Sequence, residues 1–443
     1  MFDTTIQADK LEQILDLAKK SGASACEIIQ KSSTENPVSF ENNKLKSLES
    51  NHSSGIAVRL IKDNKIGISS TTDPETVESL VASALETSEF GTEATFELSK
   101  EKIQNNLPDE SSQKPSLESL IEKGTDVVEH LRKFHNDLMV SGGFDCKEAE
   151  TIYLNSNGVT GTRKKTICSV MFHTLLVHED DFLGIYEEGS SLNTFPDEKK
   201  IRDSLFEKLN LSKNITPLHM KHYPVLFTPR AVEGIFYEIF LEILNGKTIE
   251  QGISPVADKL GKKLFDEQFT LTEVPSMGTN RALFDDEGIK TQKKDLIKDG
   301  VINSFYFDLS SGRRVTPRHD STGNGFKPSL ASMPFPSLTS VIMEKGKKKY
   351  SEMLSSISEG ILVDQLLGSG QSNTLAGEFS VGIDLGFKIK NGKIEGRIKN
   401  CMVAGNIFEV LSKIGGLSQE QEWVNGSMCF PAMLIENMMV AGK

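Results

Sequence analysis

Two carboxylates one helical turn apart are the first residues in this sequence whose types and spacing could do chemistry. In "GIFYEIFLEIL", residues 234–244, Glu238 and Glu242 stand at i and i+4 among apolar residues at helical spacing. Such a pair can hold a metal or act as acid and base, although a zinc site ordinarily includes His or Cys. At about 100° per residue, Val232, Ile239, Phe240 and Ile243 cluster with Phe236, and the two glutamates lie almost opposite. They are therefore expected to face water or a cavity, and a solvated face is the ordinary account of an isolated pair.

Other reactive residues offer little help. His130 and His135 are five apart, diverging by roughly 140° on a helix, and His173 and His178 would point to opposite faces of a strand. The five cysteines, Cys26, Cys146, Cys168, Cys401 and Cys429, are scattered without a CxxC pair, so reduced thiols are expected. No HExxH, GxSxG or P-loop is present. Gly368, Gly370 and Gly377 in "LLGSGQSNTLAGEFSVG" precede a strand-like run, whereas a phosphate loop needs a helix N-terminus next. They read as a turn, or as backbone approaching a peptide.

The elements that must position these residues follow from periodicity. "ADKLEQILDLAKKSGAS" aligns Leu11, Ile14, Leu15 and Ala18 on one helical face and stops at Gly22. Alternating segments follow, with "KDNK" as a hairpin turn and then a second helix. The fold class read from this order is α+β: meanders with helices packed on antiparallel sheet, then a β-rich C-terminal part. The expected division is an N-terminal α+β domain at 1–95, a polar linker or exposed crossover at 96–116, a central α+β domain at 117–222, and a C-terminal β-rich domain at 223–443. In the last, "DDEG", "KDG" and "KNG" read as turns.

Composition narrows the function classes. No apolar run approaches the ~20 residues of a membrane span, and the N-terminus lacks a secretory pattern, so no membrane and a cytoplasmic location are expected. The formal net charge of −12 argues against nucleic-acid binding.

Several separate motifs then carry a resemblance. "FDDEGIKTQKKDLIKDGVINSFYFDLSSGRR", "STGNG", "GEFSVGIDLGFKIKNGKI", "CMVAGN" and the C-terminal "PAMLIENMMVAGK" resemble the TldD/TldE (PmbA) family, once called modulators of DNA gyrase. "SGASACEI", "GIAVRLIKDNKIGISSTTD" and "NSNGVTGTR" extend the likeness over nearly the whole chain. The resemblance implies a cytoplasmic zinc peptidase of two paralogous subunits that digests unfolded or short peptides in an enclosed chamber. In the metal-binding TldD type, an HExxxH helix and a C-terminal cysteine hold the zinc. Laid on this sequence, Tyr237 takes the first His position, Glu238 the Glu position and Glu242 the second His position. Cys429 lies near the cysteine ligand, but in a Gly-x-x-Cys spacing where the metal-binding subunit has Gly-x-Cys. The chain therefore resembles the TldE/PmbA type: no metal of its own, zinc in a TldD-type partner subunit, no catalytic residue beyond Glu238 as a candidate, and a dimer as the assembly. Gly368, Gly370 and Gly377 are the expected chamber wall. The alternative is a homodimeric peptide-binding or regulatory protein, acting on a toxin or on gyrase, without peptidase activity of its own.

Overall fold

A computed structural model describes residues 8–73, 75–105, 115–179, 181–368 and 373–442. Alternating β-branched and aromatic residues in the first half produce β1 (Ala25–Glu35), β2 (Val38–Glu41), β3 (Lys44–Leu48), β4 (Asn51–Lys62), β5 (Lys65–Thr71), β6 (Met139–Asn155), β7 (Thr160–His178) and β8 (Asp181–Leu192). All are antiparallel in one sheet. The long β6 pairs through its first half with β2, through its second half with β1, and along nearly its whole length with β7. Strands from residues 1–95 and 117–222, expected as two units, thus sit in a single sheet. Between β4 and β5, Asp63 and Asn64 both take positive φ, as the tight "KDNK" hairpin requires.

Amphipathic helices cover this sheet. The face of α1 (Ala8–Lys20) carrying Leu11, Ile14 and Ala18 packs with Leu80, Val81 and Ala84 of α2 (Val77–Glu89) against Val58 and Leu60. Helices α3 (Leu117–Arg132) and α4 (Glu198–Leu211) bury Val127, Leu131, Leu205 and Leu209 in a second cluster. The expectation of an exposed crossover from residue 96 onward needs correcting at its start. Phe96 and Leu98 are buried with Ile61, Ile66 and Leu309, and the Asn155 side chain donates to the Ser99 carbonyl at 2.9 Å. Burying two large apolar side chains outweighs the polar residues around them. Residues 106–114 lie outside the described part.

The second half is the expected β-rich part, and α+β describes the whole. Its strands are β9 (Lys221–Phe227), β10 (Leu271–Glu273), β11 (Lys294–Lys298), β12 (Val301–Ile302), β13 (Gly325–Phe326), β14 (Phe335–Pro336), β15 (Val341–Met343), β16 (Glu359–Leu367), β17 (Glu378–Lys390), β18 (Lys393–Arg397), β19 (Cys401–Asn406), β20 (Gly416–Val424) and β21 (Met428–Ala441). Pairing closes on itself through β9, β16, β17, β19 and β21, because β21 pairs with both β19 and β9. Closure leaves these five strands with no free edge.

Alternation along these strands feeds two cores at once. Val225, Phe227, Ile361, Val363, Phe379, Val381 and Met433 pack around the helix that contains "GIFYEIFLEIL". Leu226, Leu362 and Leu434, their alternates, join α3 and α4 of the first half, and so do Leu385 and Phe387, further along β17 past the bulge opposite Gln365. The same strands therefore hold the helix and dock the two halves.

Candidate functional site

The helix starts where sequence chemistry says it should. Thr228 caps it by accepting from the Ala231 amide at 3.4 Å, and Pro229 occupies the first turn, where its missing N–H costs nothing. Pro229–Val232 is α-helical, Glu233–Tyr237 forms a π turn, and Glu238–Ile243 is α-helical again. Val232, Ile235, Phe236, Ile239, Phe240 and Ile243 are buried, with Phe236 edge-on to Phe227 and Phe379 at 5.6 and 5.8 Å. Glu238 and Glu242 are exposed, on the face that periodicity assigns them, and Glu242 accepts from the Thr248 hydroxyl at 3.3 Å.

The π turn was not legible, and it adds a residue to that face. Its i→i+5 hydrogen bonding brings residues five apart into line, so Glu233 joins Glu238 and Glu242. Burial, then the negative charges of Glu238 and Glu188, push the Glu233 carboxyl up to about 7, with Arg230 opposing. Only the five-residue spacing from Glu238 marks Glu233 in the sequence, and that spacing means nothing in a regular α-helix.

A pH dependence follows. The folded value near 7 lies above the usual 4.5, so Glu233 stabilises the fold fully below pH 4.5 and loses that contribution as pH rises through 7. Glu233→Gln should therefore gain stability relative to the parent by on the order of 2–3 kcal/mol between pH 4 and pH 8. Urea unfolding midpoints at both pH values check this.

Tyr237, at the expected first His position, turns into the core. It is 5% exposed, its ring centroid lies 5.5 Å from that of Phe430, and burial holds its hydroxyl well above the usual tyrosine range. Cys429 is also buried, which raises its thiol. Its neighbours Met428 and Phe430 belong to the core around the helix, and Cys429 does not. A Gly-x-Cys spacing after Gly426 would put the thiol at position 428; one residue further along a strand, it points to the opposite face.

Of the three glycines expected as chamber wall, Gly370 lies outside the described residues. Gly368 follows β16, exposed, at φ +76°. Gly377, at φ +71°, ends a short turn of 3-10 helix, Thr374–Ala376, that lies against Glu238–Ile243. The structure thus brings this glycine segment and the glutamate helix together.

Sequence reasoning also missed a cleft of about 590 Å³ at the start of the helix, lined by Glu187, Lys208, Arg230, Asp364, Glu422 and Trp423 among others. Arg230 reaches Glu187 at 2.9 Å, and Lys208 bridges Glu187 and Asp364 at 2.5 Å each. Its polar side chains come from β8, α4, the start of the helix, β16 and β20, so no local spacing announces it.

With this geometry in hand, the chain can be set beside known proteins. Residues 220–442 match the PmbA/TldA metallopeptidase C-terminal domain, and residues 26–88 match PmbA/TldA metallopeptidase domain 1. The chain belongs to the PmbA/TldD family. An uncharacterised protein of Methanocaldococcus jannaschii is 26% identical over 440 residues, 97% of this chain and 99% of its own length. The metalloprotease PmbA of Escherichia coli O157:H7 is 25% identical over 222 residues, half of this chain and 46% of that relative. TldE from Thermococcus kodakarensis superposes with a TM-score of 0.85 at 23% identity, covering 98% of this chain and all of that one, a likeness of fold.

The family name implies a metal, and zinc in a peptidase takes His, Cys or carboxylate donors in a tetrahedral arrangement. A buried neutral phenol, an exposed carboxylate and a thiol on the far face of its strand do not fit a tetrahedral N/S site. Among the described residues no three His, Cys, Asp or Glu side chains converge as a metal-holding group. No helix among them is long and apolar enough to cross a membrane.

Proposed function

We propose that this PmbA/TldD-family chain is the non-catalytic partner in a zinc peptidase assembly for unfolded or short peptides. Zinc and hydrolysis come from a TldD-type paralogue in the cytoplasm. The observation that carries this reading is Tyr237: where the metal-binding type needs an imidazole facing the substrate, this chain has a phenol packed on Phe430. Glu233, Glu238 and Glu242 share the remaining face, and three carboxylates without an imidazole beside them are a poor match for a zinc site that would polarise a peptide carbonyl. The chain's own contribution is then to hold the peptide, whose extended backbone pairs with a strand edge.

Reconstitution tests this. The chain alone should neither retain stoichiometric zinc nor cleave peptides, and mixing it with the TldD-type paralogue should give zinc-dependent hydrolysis. Stoichiometric zinc in the isolated chain, together with peptidase activity that Glu238→Gln abolishes, would sink the reading.

A further inference from the structure

A second cleft, of about 330 Å³, opens between the two halves, far in sequence from the helix. Lys31, Arg163 and Lys165 reach it from β1 and β7, and Arg281, Asp286 and Lys327 from the second half. Five cations thus face one carboxylate, in a chain whose net charge is −12.

Asp286 is already committed. It pairs with Lys31 at 2.8 Å and with Arg163, and it accepts from the Lys327 amide at 2.9 Å. Arg163 also donates to the Phe284 carbonyl at 2.8 Å. The Lys165 ammonium donates to the Thr279 carbonyl at 3.0 Å and keeps two further N–H groups. Lys327 is only 8% exposed, and its ammonium has no hydrogen-bond or ion-pair partner among the described residues. The ammonium of this largely buried side chain opens onto the cleft unpaired, where a negative charge would complete it.

We propose that this cleft binds a small oxyanion, a carboxylate or phosphate group, held by Lys327 and Lys165 across the joint between the two halves. Electrostatics agree with the geometry. Burial, with Arg59 and Lys31 against Glu27 and Asp286, brings Lys327 down to about 8. Burial, with Arg163, Lys147 and Lys31 against Asp286, does the same to Lys165. An incoming anion relieves this repulsion. The volume and the partly apolar lining, with Phe326 and Leu338, suit a ligand of a few residues or less.

Calorimetric titration of the full chain at pH 7 and constant ionic strength tests the site, with inorganic phosphate, trialanine and trialanine amide as probes. Saturable binding of phosphate, or of trialanine but not its amide, is expected, and the two results separate a free phosphate source from a peptide C-terminus. Lys327→Met should weaken that binding by about tenfold or more, the usual worth of a charge-assisted contact. Lys327→Arg should retain it. Lys165→Met, at the more open lysine, carries the test if Lys327→Met does not fold. The proposal fails if neither anion binds, or if both methionine variants bind as the parent does. The titration uses this chain alone, so its result does not depend on the partner-subunit reading.

Discussion

Arg59→Ala should lower the free energy of unfolding by about 3–5 kcal/mol, the range for removing one member of a buried ion pair. Arg59 on β4 is 2% exposed and lies between two carboxylates, 2.6 Å from Glu27 and 2.9 Å from Glu287, which are 3% and 0% exposed. The alanine variant leaves both acids buried without their cation. Their remaining partners are neutral donors: the Tyr153 hydroxyl, 3.0 Å from Glu27, and the Leu309 amide, 2.7 Å from Glu287. A neutral donor offsets only part of the cost of a buried charge. Because Glu27 and Arg59 come from the first sheet and Glu287 from the second half, the loss should loosen the joint between them. Urea unfolding followed by circular dichroism measures the loss, and limited proteolysis shows whether the halves separate first. A change below about 1 kcal/mol, typical of exposed pairs, would mean that the network is open to water.

That network also shows where reading from sequence stops. "DDEG" looks like a surface turn, and its glycine does take positive φ, at +67°. Yet Asp285, Asp286 and Glu287 are all buried, and the partners that make burial tolerable lie far away, Arg59 at a separation of 228 residues. Local chemistry was legible wherever the cause is local. The first helix with its stop at Gly22, the "KDNK" hairpin, and the turns at Asp299-Gly300 and Asn391-Gly392 all depend on residues within a few positions of each other. So did the exposed faces of Glu238 and Glu242, since α-helical geometry resumes at Glu238. The closed strand ring and the cationic cleft depend on pairings between distant segments, which no window of sequence contains. Glu233 escaped for a different reason: a regular period was assumed across a stretch where the backbone inserts a π turn.

Tyr237→Ala should cost about 3–5 kcal/mol, as truncating a buried aromatic does, whereas Glu238→Ala and Glu242→Ala on the exposed face should each stay within about 0.5 kcal/mol. The contrast follows from the structure, in which Tyr237 packs on Phe430 while the two glutamates face outward. Tyr237→Phe keeps the ring contact and removes only a hydroxyl that burial already holds in its neutral form, so it should stay within about 1 kcal/mol of the parent. This series separates packing from chemistry at the position where the metal-binding type carries its first histidine. If the residue is structural, an assembly built with Tyr237→Phe and a TldD-type partner should hydrolyse peptides at the parental rate. A large fall in rate with stability unchanged would instead assign the phenol a chemical role, and the chain could no longer be regarded as a non-catalytic partner. Tyr237→His combined with Glu242→His offers the converse test. The restored pair should still not retain zinc, because the new imidazole at 237 would face Phe430, and Cys429 projects from the other side of its strand. Two histidines would then be present by type and absent by geometry, and elemental analysis of the purified double variant would show it.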